Sequence, residues 1–93
     1  MLWHSAECEA VLALYGLADC SMTIIGADKG GEPPTWGVTV ICERGRLHFL
    51  DIHHARTLAA DLLRIRERDL AERFKRAVEA ATHRTRTQGS SPP

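Results

Sequence analysis

The sequence predicts an α+β fold: an N-terminal helix, a three-stranded antiparallel sheet ending in a hairpin, then one long or two shorter C-terminal helices. Apolar residues recur at helical spacing over residues 5–15 and again from residue 52 onward. Between them, β-branched residues alternate with others over 36–43 and 47–51, separated by the turn-forming stretch Glu43-Arg44-Gly45-Arg46.

The first helix is bounded by Ser5, a good N-cap, and by Gly16, which supplies the left-handed position where helices end. Ala6, Ala10, Val11, Leu14 and Tyr15 fall at helical spacing between them. Residues Met22 to Gly26 read as a short strand, and Asp28-Lys-Gly-Gly-Glu-Pro-Pro34 as a loop, because it gathers the common breakers. The hairpin follows. With Arg44 and Gly45 at the turn, Cys42 is expected opposite Leu47, Ile41 opposite His48 and Val40 opposite Phe49. Strand side chains alternate between faces, so this register predicts one face of Trp36, Val38, Val40, Cys42, Leu47 and Phe49. The other face would carry Thr35, Thr39, Ile41, His48 and Leu50.

Asp51 is placed to cap the next helix, whose apolar stripe is Ala55, Leu58, Leu62 and Ile65. Extended at helical spacing, that stripe runs into Asp69, Glu72, Arg73 and Arg76. A second stripe, Leu63, Leu70, Phe74, Ala77, Val78 and Ala81, lies roughly a third of a turn around at about 100° per residue. Two arrangements satisfy this change of direction near 66–69. Either the helix breaks, with Asp69 and Glu72 as a capping box, or one helix of about thirty residues buries its second half elsewhere. Residues 1–81 are expected to form one domain. Residues 82–93, which show no apolar pattern, read as a basic, disordered tail.

The chain has 93 residues, 44% hydrophobic and 26% charged, which suits one small globular domain. Its formal charge of zero conceals two opposite halves. Residues 1–43 set one lysine against six carboxylates, a net of −5, and residues 44–93 set eleven cations against six carboxylates, a net of +5. Such asymmetry bears on partners rather than on fold. Three cysteines, Cys8, Cys20 and Cys42, without C-x-x-C spacing, argue for reduced thiols rather than a disulfide framework or zinc ribbon. The N-terminus lacks a basic signal-type segment, and its longest apolar run, Ala10 to Tyr15, is too short for a membrane span, so the expected location is the cytoplasm.

Candidate chemistry is sparse. His4 and Cys8 stand four residues apart, which gives two metal ligands where a site needs more. His48, Asp51, His53 and His54 cluster within seven residues, yet His48 and Asp51 alternate to opposite strand faces and Asp51 is committed as a cap. No nucleophile elbow, phosphate-binding loop, zinc-protease or dinucleotide motif occurs, so the reading is a non-enzyme without metal or cofactor.

Two binding surfaces stand out. Leu63, Leu70, Phe74 and Val78, with Ile41 and Leu50 on the second sheet face, form apolar area that suits a protein interface and self-association, most simply as a dimer. The expected function is a small regulator, inhibitor or adaptor of a larger protein assembly. The alternative is nucleic-acid binding through the arginines without an obvious helical partner, Arg44, Arg46, Arg56, Arg84 and Arg86. Asp61 with Arg64, Asp69 with Arg73, and Glu72 with Arg68 or Arg76 match many of the other charges at i,i+3 or i,i+4 spacing.

Overall fold

A computed structural model describes residues 6–17, 23–41 and 45–89. Its elements are α1 (Ala6–Leu14), β1 (Thr23–Gly30), β2 (Thr35–Ile41), β3 (Leu47–Asp51), α2 (Ile52–Arg64) and α3 (Arg68–Gly89). The α+β class, the antiparallel three-stranded sheet in the order β1-β2-β3 and the flanking helices are those the sequence predicts. Ser5, Met22, Cys20, Cys42 to Arg44 and residues 90–93 lie outside the described residues.

Helix α1 buries Cys8 and Leu12 and half-buries Val11 and Tyr15. Ala6, Ala10 and Leu14 therefore face outward, and the buried stripe is rotated from the expected one. Gly16, at φ +77°, is the left-handed residue that ends the helix. Its N–H reaches the Ala13 carbonyl at 3.1 Å, and the Leu17 N–H reaches the Leu12 carbonyl at 2.9 Å, closing a Schellman motif.

Strand β1 is longer than the sequence suggests. Asp28, Lys29 and Gly30 pair with Gly37, Trp36 and Thr35, leaving only residues 31–34 for the connection. An extra residue between Ile24 and Gly26 makes a β-bulge, and Gly26, at φ +101°, takes the backbone angle that bulge needs.

The β2–β3 register is shifted by one from the expected pairing. Ile41 faces Leu47, Val40 faces His48, Thr39 faces Phe49 and Val38 faces Leu50. The connection thus runs through five residues, 42–46, with Gly45 left-handed at φ +74°, rather than four. A one-residue slip moves every β3 side chain to the other face. Leu50 joins Val38 and Val40 in the core, and Phe49, expected inside, stands on the opposite face with Thr39 and Ile41.

Asp51 caps α2 as expected. Its backbone is extended, and its carboxylate accepts the His54 backbone N–H at 2.7 Å. The helical region then breaks. The Arg66 N–H bonds the Leu63 carbonyl at 3.0 Å, and the Glu67 N–H bonds the Leu62 carbonyl at 2.9 Å, a second Schellman motif with Arg66 left-handed at φ 67°. Helix α3 starts at Arg68, so Asp69 sits in its first turn instead of capping it. The helix also continues to Gly89, through residues expected to form a tail. There Thr82 and Thr85 donate their hydroxyls to the Val78 and Ala81 carbonyls at 2.8 and 2.9 Å.

The break explains both apolar stripes. Ala55, Leu58, Ala59 and Leu62 of α2 and Leu70, Ala71, Phe74, Ala77 and Val78 of α3 belong to one core with Val38, Val40 and Leu50. The two helices pack side by side on one sheet face, α3 over β1 and β2 and α2 over β2 and β3, with α1 beside α2.

Candidate functional site

Two surfaces remain from which function can be built, one on the sheet and one on the helices. On the sheet, the face opposite α2 and α3 carries Asp28 from β1, Gly37, Thr39 and Ile41 from β2, and Leu47 and Phe49 from β3. The three apolar side chains there lie outside the core cluster. Phe49 occupies space that side chains at two glycines would fill. A Cβ on Gly37 would overlap the Leu50 carbonyl and come within 2.7 Å of the ring, and one on Gly30 would stand 3.3 Å from it. Glycine at both positions lets one aromatic ring from β3 lie across β2 to the end of β1. Beside it Thr39, buried, donates its hydroxyl to Asp28 at 3.0 Å. Ile41 and Phe49 are half-buried, and Leu47 is 63% exposed. Asp28 and Asp51 are the charged residues at described positions of this face, because Lys29 alternates to the other side, 6.0 Å from the Trp36 ring.

On the helices, α2 and α3 border a cleft of about 480 Å³. Ala59 and Val78, both buried, form its floor. Its walls carry Arg56 from α2 and Lys75, Glu79, His83 and Arg86 from α3. The α3 residues recur at helical spacing, so one face of the helix presents two cations, a histidine and a single carboxylate to the cleft. Arg84 turns away and stands 5.4 Å from the Trp36 ring, giving that ring a cation–π contact as Lys29 does.

The expected interface residues divide. Leu70, Phe74, Val78 and Leu50 are buried in the domain's own core, which corrects the expectation that the second stripe lacks an intramolecular partner. The stripe finds its partner because the break at Arg66 turns α3 back onto the sheet. Leu63, 52% exposed on α2, and half-buried Ile41 remain on the surface. Of the arginines, Arg56 and Arg86 both line the cleft, Arg84 lies against Trp36, Arg46 is exposed at the end of the hairpin connection, and Arg44 is outside the described residues. Sequence reasoning missed Phe49 as an outward residue, together with Lys75 and His83. The latter two could have been found by reading the charged face of α3 as a face rather than pair by pair.

The histidine cluster does not converge. His54 Nδ1 lies 2.9 Å from the Asp51 carboxylate that its own backbone N–H contacts, and His53 meets the His54 ring edge-on at 5.7 Å. Asp51 is held below the ordinary carboxylate range, chiefly by that backbone N–H, with the ring and the nearby imidazole charges adding to it against a smaller opposing effect of burial. His48 points elsewhere, toward Gly16, where an added Cβ would stand 3.0 Å from its ring. No group of three potential metal ligands occurs among the described residues. His4 lies outside them.

The buried acids are tuned away from reactivity. Burial, with help from Glu67 and Glu9, pushes the Cys8 thiol up to about 11, which keeps it neutral and poorly nucleophilic. Burial and a 2.7 Å hydrogen bond to Asp61 push Tyr15 up to about 12. Asp61 also pairs with Arg64 at 3.4 Å, and Glu72 with Arg76 at 3.4 Å, two of the helical pairs the spacing predicts.

No protein-family model matches the chain, and no curated protein or solved structure matches it. No described helix is long and apolar enough to cross a membrane.

Proposed function

We propose that this chain is a non-enzymatic protein-binding module that self-associates through the uncovered face of its sheet and acts as a regulator, inhibitor or adaptor of a larger assembly. The observation behind this reading is the placement of Phe49, Ile41 and Leu47 together on a face that no described helix covers. The contact surface thus moves from α3, whose apolar stripe is spent on the domain's own core, to the sheet.

A second copy is the occupant that suits this face. A sheet with small residues around one aromatic ring can stack on a like face at about 10 Å, and a two-fold axis brings each Phe49 against the other copy's apolar strip. Three strands at about 4.8 Å spacing and some seven residues at about 3.3 Å give about 330 Å² of flat area per copy. At about 660 Å² for the pair, that is below the roughly 1,200 Å² of stable specific interfaces, so the association is weak and concentration dependent. A reduced, cytoplasmic setting accompanies the reading, in keeping with Cys8 as a buried thiol outside any disulfide.

Light scattering on the purified chain over a concentration series tests it. The expected mass rises from monomer toward dimer, and Leu47→Asp holds the monomer without altering the circular dichroism, because Leu47 is already mostly in water. Leu63→Asp, on the helical side, leaves the mass curve unchanged. A wild-type chain that stays monomeric up to about 1 mM, where even weak pairs form, overturns the reading. So does dissociation by Leu63→Asp in place of Leu47→Asp.

A further inference from the structure

The helical cleft is not used by the sheet-face contact, and its chemistry differs. We propose that the cleft between α2 and α3 binds a nucleic-acid strand by its phosphates, with Arg56, Lys75 and Arg86 as the phosphate-contacting residues.

Charge separates the two surfaces. The uncovered sheet face presents Asp28 and no cation at its described strand positions, which repels a polyanion. The cleft sets three permanent cations against Glu79. After Glu79 no acidic residue follows in α3, while Arg84 and Arg86 do, so the positive potential grows toward the end of the helix.

Geometry selects the kind of anion. Lys75 and Arg86 are eleven residues apart on one helix, about 16 Å along its axis at 1.5 Å per residue. No single phosphate spans that distance. An extended polyanion does, following the cleft with its phosphates at successive cations. Buried Ala59 and Val78 close the floor of the cleft, and the aliphatic stems of its wall side chains give a sugar the apolar contact that a purely ionic patch would lack. Arginine and lysine suit the task, the first as a planar fork for phosphate oxygens and the second as a mobile point charge. Of the arginines singled out in the sequence, Arg56 and Arg86 line this site, whereas Arg46 and Arg84 do not.

The test is fluorescence anisotropy with a labelled single-stranded DNA oligonucleotide and with its duplex. Three neutralised phosphates give a slope of log K against log salt of about −2 for a single strand and about −2.7 for a duplex. Between about 50 and 200 mM salt, affinity is then expected to fall about 20-fold or about 40-fold. Whichever form binds more tightly identifies the strand geometry the cleft accepts.

Removing one contact, by Arg56→Ala or Lys75→Ala, is expected to reduce the single-strand fall to about 7-fold. Arg64→Ala and Arg76→Ala serve as controls, because those arginines belong to surface ion pairs outside the cleft lining. Glu79→Gln is expected to tighten binding several-fold, and Glu72→Gln, outside the cleft, to change it little. All these side chains are exposed, so circular dichroism should report an intact fold in each variant. Absence of binding at about 50 mM salt overturns the proposal. Equal losses from the control arginines overturn it as well, since the charge would then be read without the cleft. Tighter binding to a poly-glutamate peptide than to the oligonucleotide would assign the cleft to an acidic protein segment instead.

Discussion

The same three strands offer two faces that differ in what they carry and in what covers them. Beneath α2 and α3, Val38 and Val40 are fully buried and Leu50 nearly so, while across the sheet Phe49 and Ile41 are half-buried and Leu47 is mostly exposed. Both faces are apolar enough to be covered, yet only one is closed by a described element. The closed face meets side chains from two helices at once, including Phe74, which has no exposed surface at all. The open face replaces neighbours with glycines, so that a single ring from β3 does the covering. An antiparallel sheet tolerates this division because its second face can remain in water or meet a partner. The difference shows which apolar residues hold the fold and which are available for association.

The largest expected effect breaks the closed face. Phe74→Ala removes a fully buried ring from the junction of α3 with the sheet, and such truncations cost about 3–5 kcal/mol. In a domain of this size that is a large share of the total stability, about 5–15 kcal/mol for native proteins generally. Urea unfolding monitored by circular dichroism measures it. A loss below about 1 kcal/mol would mean that α3 does not close this face, and Phe74 would return to the surface as an interface residue.

Much of the closed face was legible in the sequence. The stripes Ala55-Leu58-Leu62 and Leu70-Phe74-Val78 were visible, as were the Asp51 cap and the Gly16 stop, because each is a local signal. What was not legible depends on distant residues. Whether the second stripe meets its own sheet depends on Arg66 adopting a left-handed conformation that sequence preference assigns to glycine or asparagine. The faces of β3 depend on whether four or five residues connect it to β2, a difference of one that composition cannot resolve. The length of β1 was hidden because Gly30 reads as a breaker when considered alone, whereas in the fold it makes room for Phe49. The cleft escaped notice for the same reason: Arg56 and Arg86 are thirty positions apart in sequence and line one cleft only once the helices pack.

A smaller effect sharpens the comparison through pH. Cys8 lies in the helix-side core, and its thiol is raised from 9.0 to about 11. A group raised in the folded state contributes stability that is complete below the unfolded value and is lost as pH rises toward the folded one. Stability is therefore expected to fall between about pH 9 and 11, by roughly 2–3 kcal/mol at about 1.4 kcal/mol per unit. Tyr15, raised from 10.0 to about 12, extends the decline in the same direction. Urea midpoints at successive alkaline pH values measure the slope. In Cys8→Ala the fall between pH 9 and 10 is expected to disappear and that between 10 and 11 to shrink, leaving the share from Tyr15. An unchanged slope in this variant would remove Cys8 from the cause.

The smallest effect concerns the open face, where Phe49 and its glycines form one device. Phe49→Ala exposes Gly37 and Gly30 to water instead of leaving a sealed cavity, so its expected cost is about 1–2 kcal/mol, well below that of Phe74→Ala. A double-mutant cycle with Gly30→Ala separates a packing partnership from two independent residues. With Phe49 present, the new Cβ presses on the ring at 3.3 Å and Gly30→Ala is expected to be neutral or destabilising. With Phe49→Ala, that neighbour is gone, and the same substitution gains about 0.5–1 kcal/mol by removing glycine's excess freedom in a strand. A coupling near zero would mean that the ring does not rest on Gly30. The open face would then be loosely arranged, a poor surface for an association that depends on one well-placed aromatic.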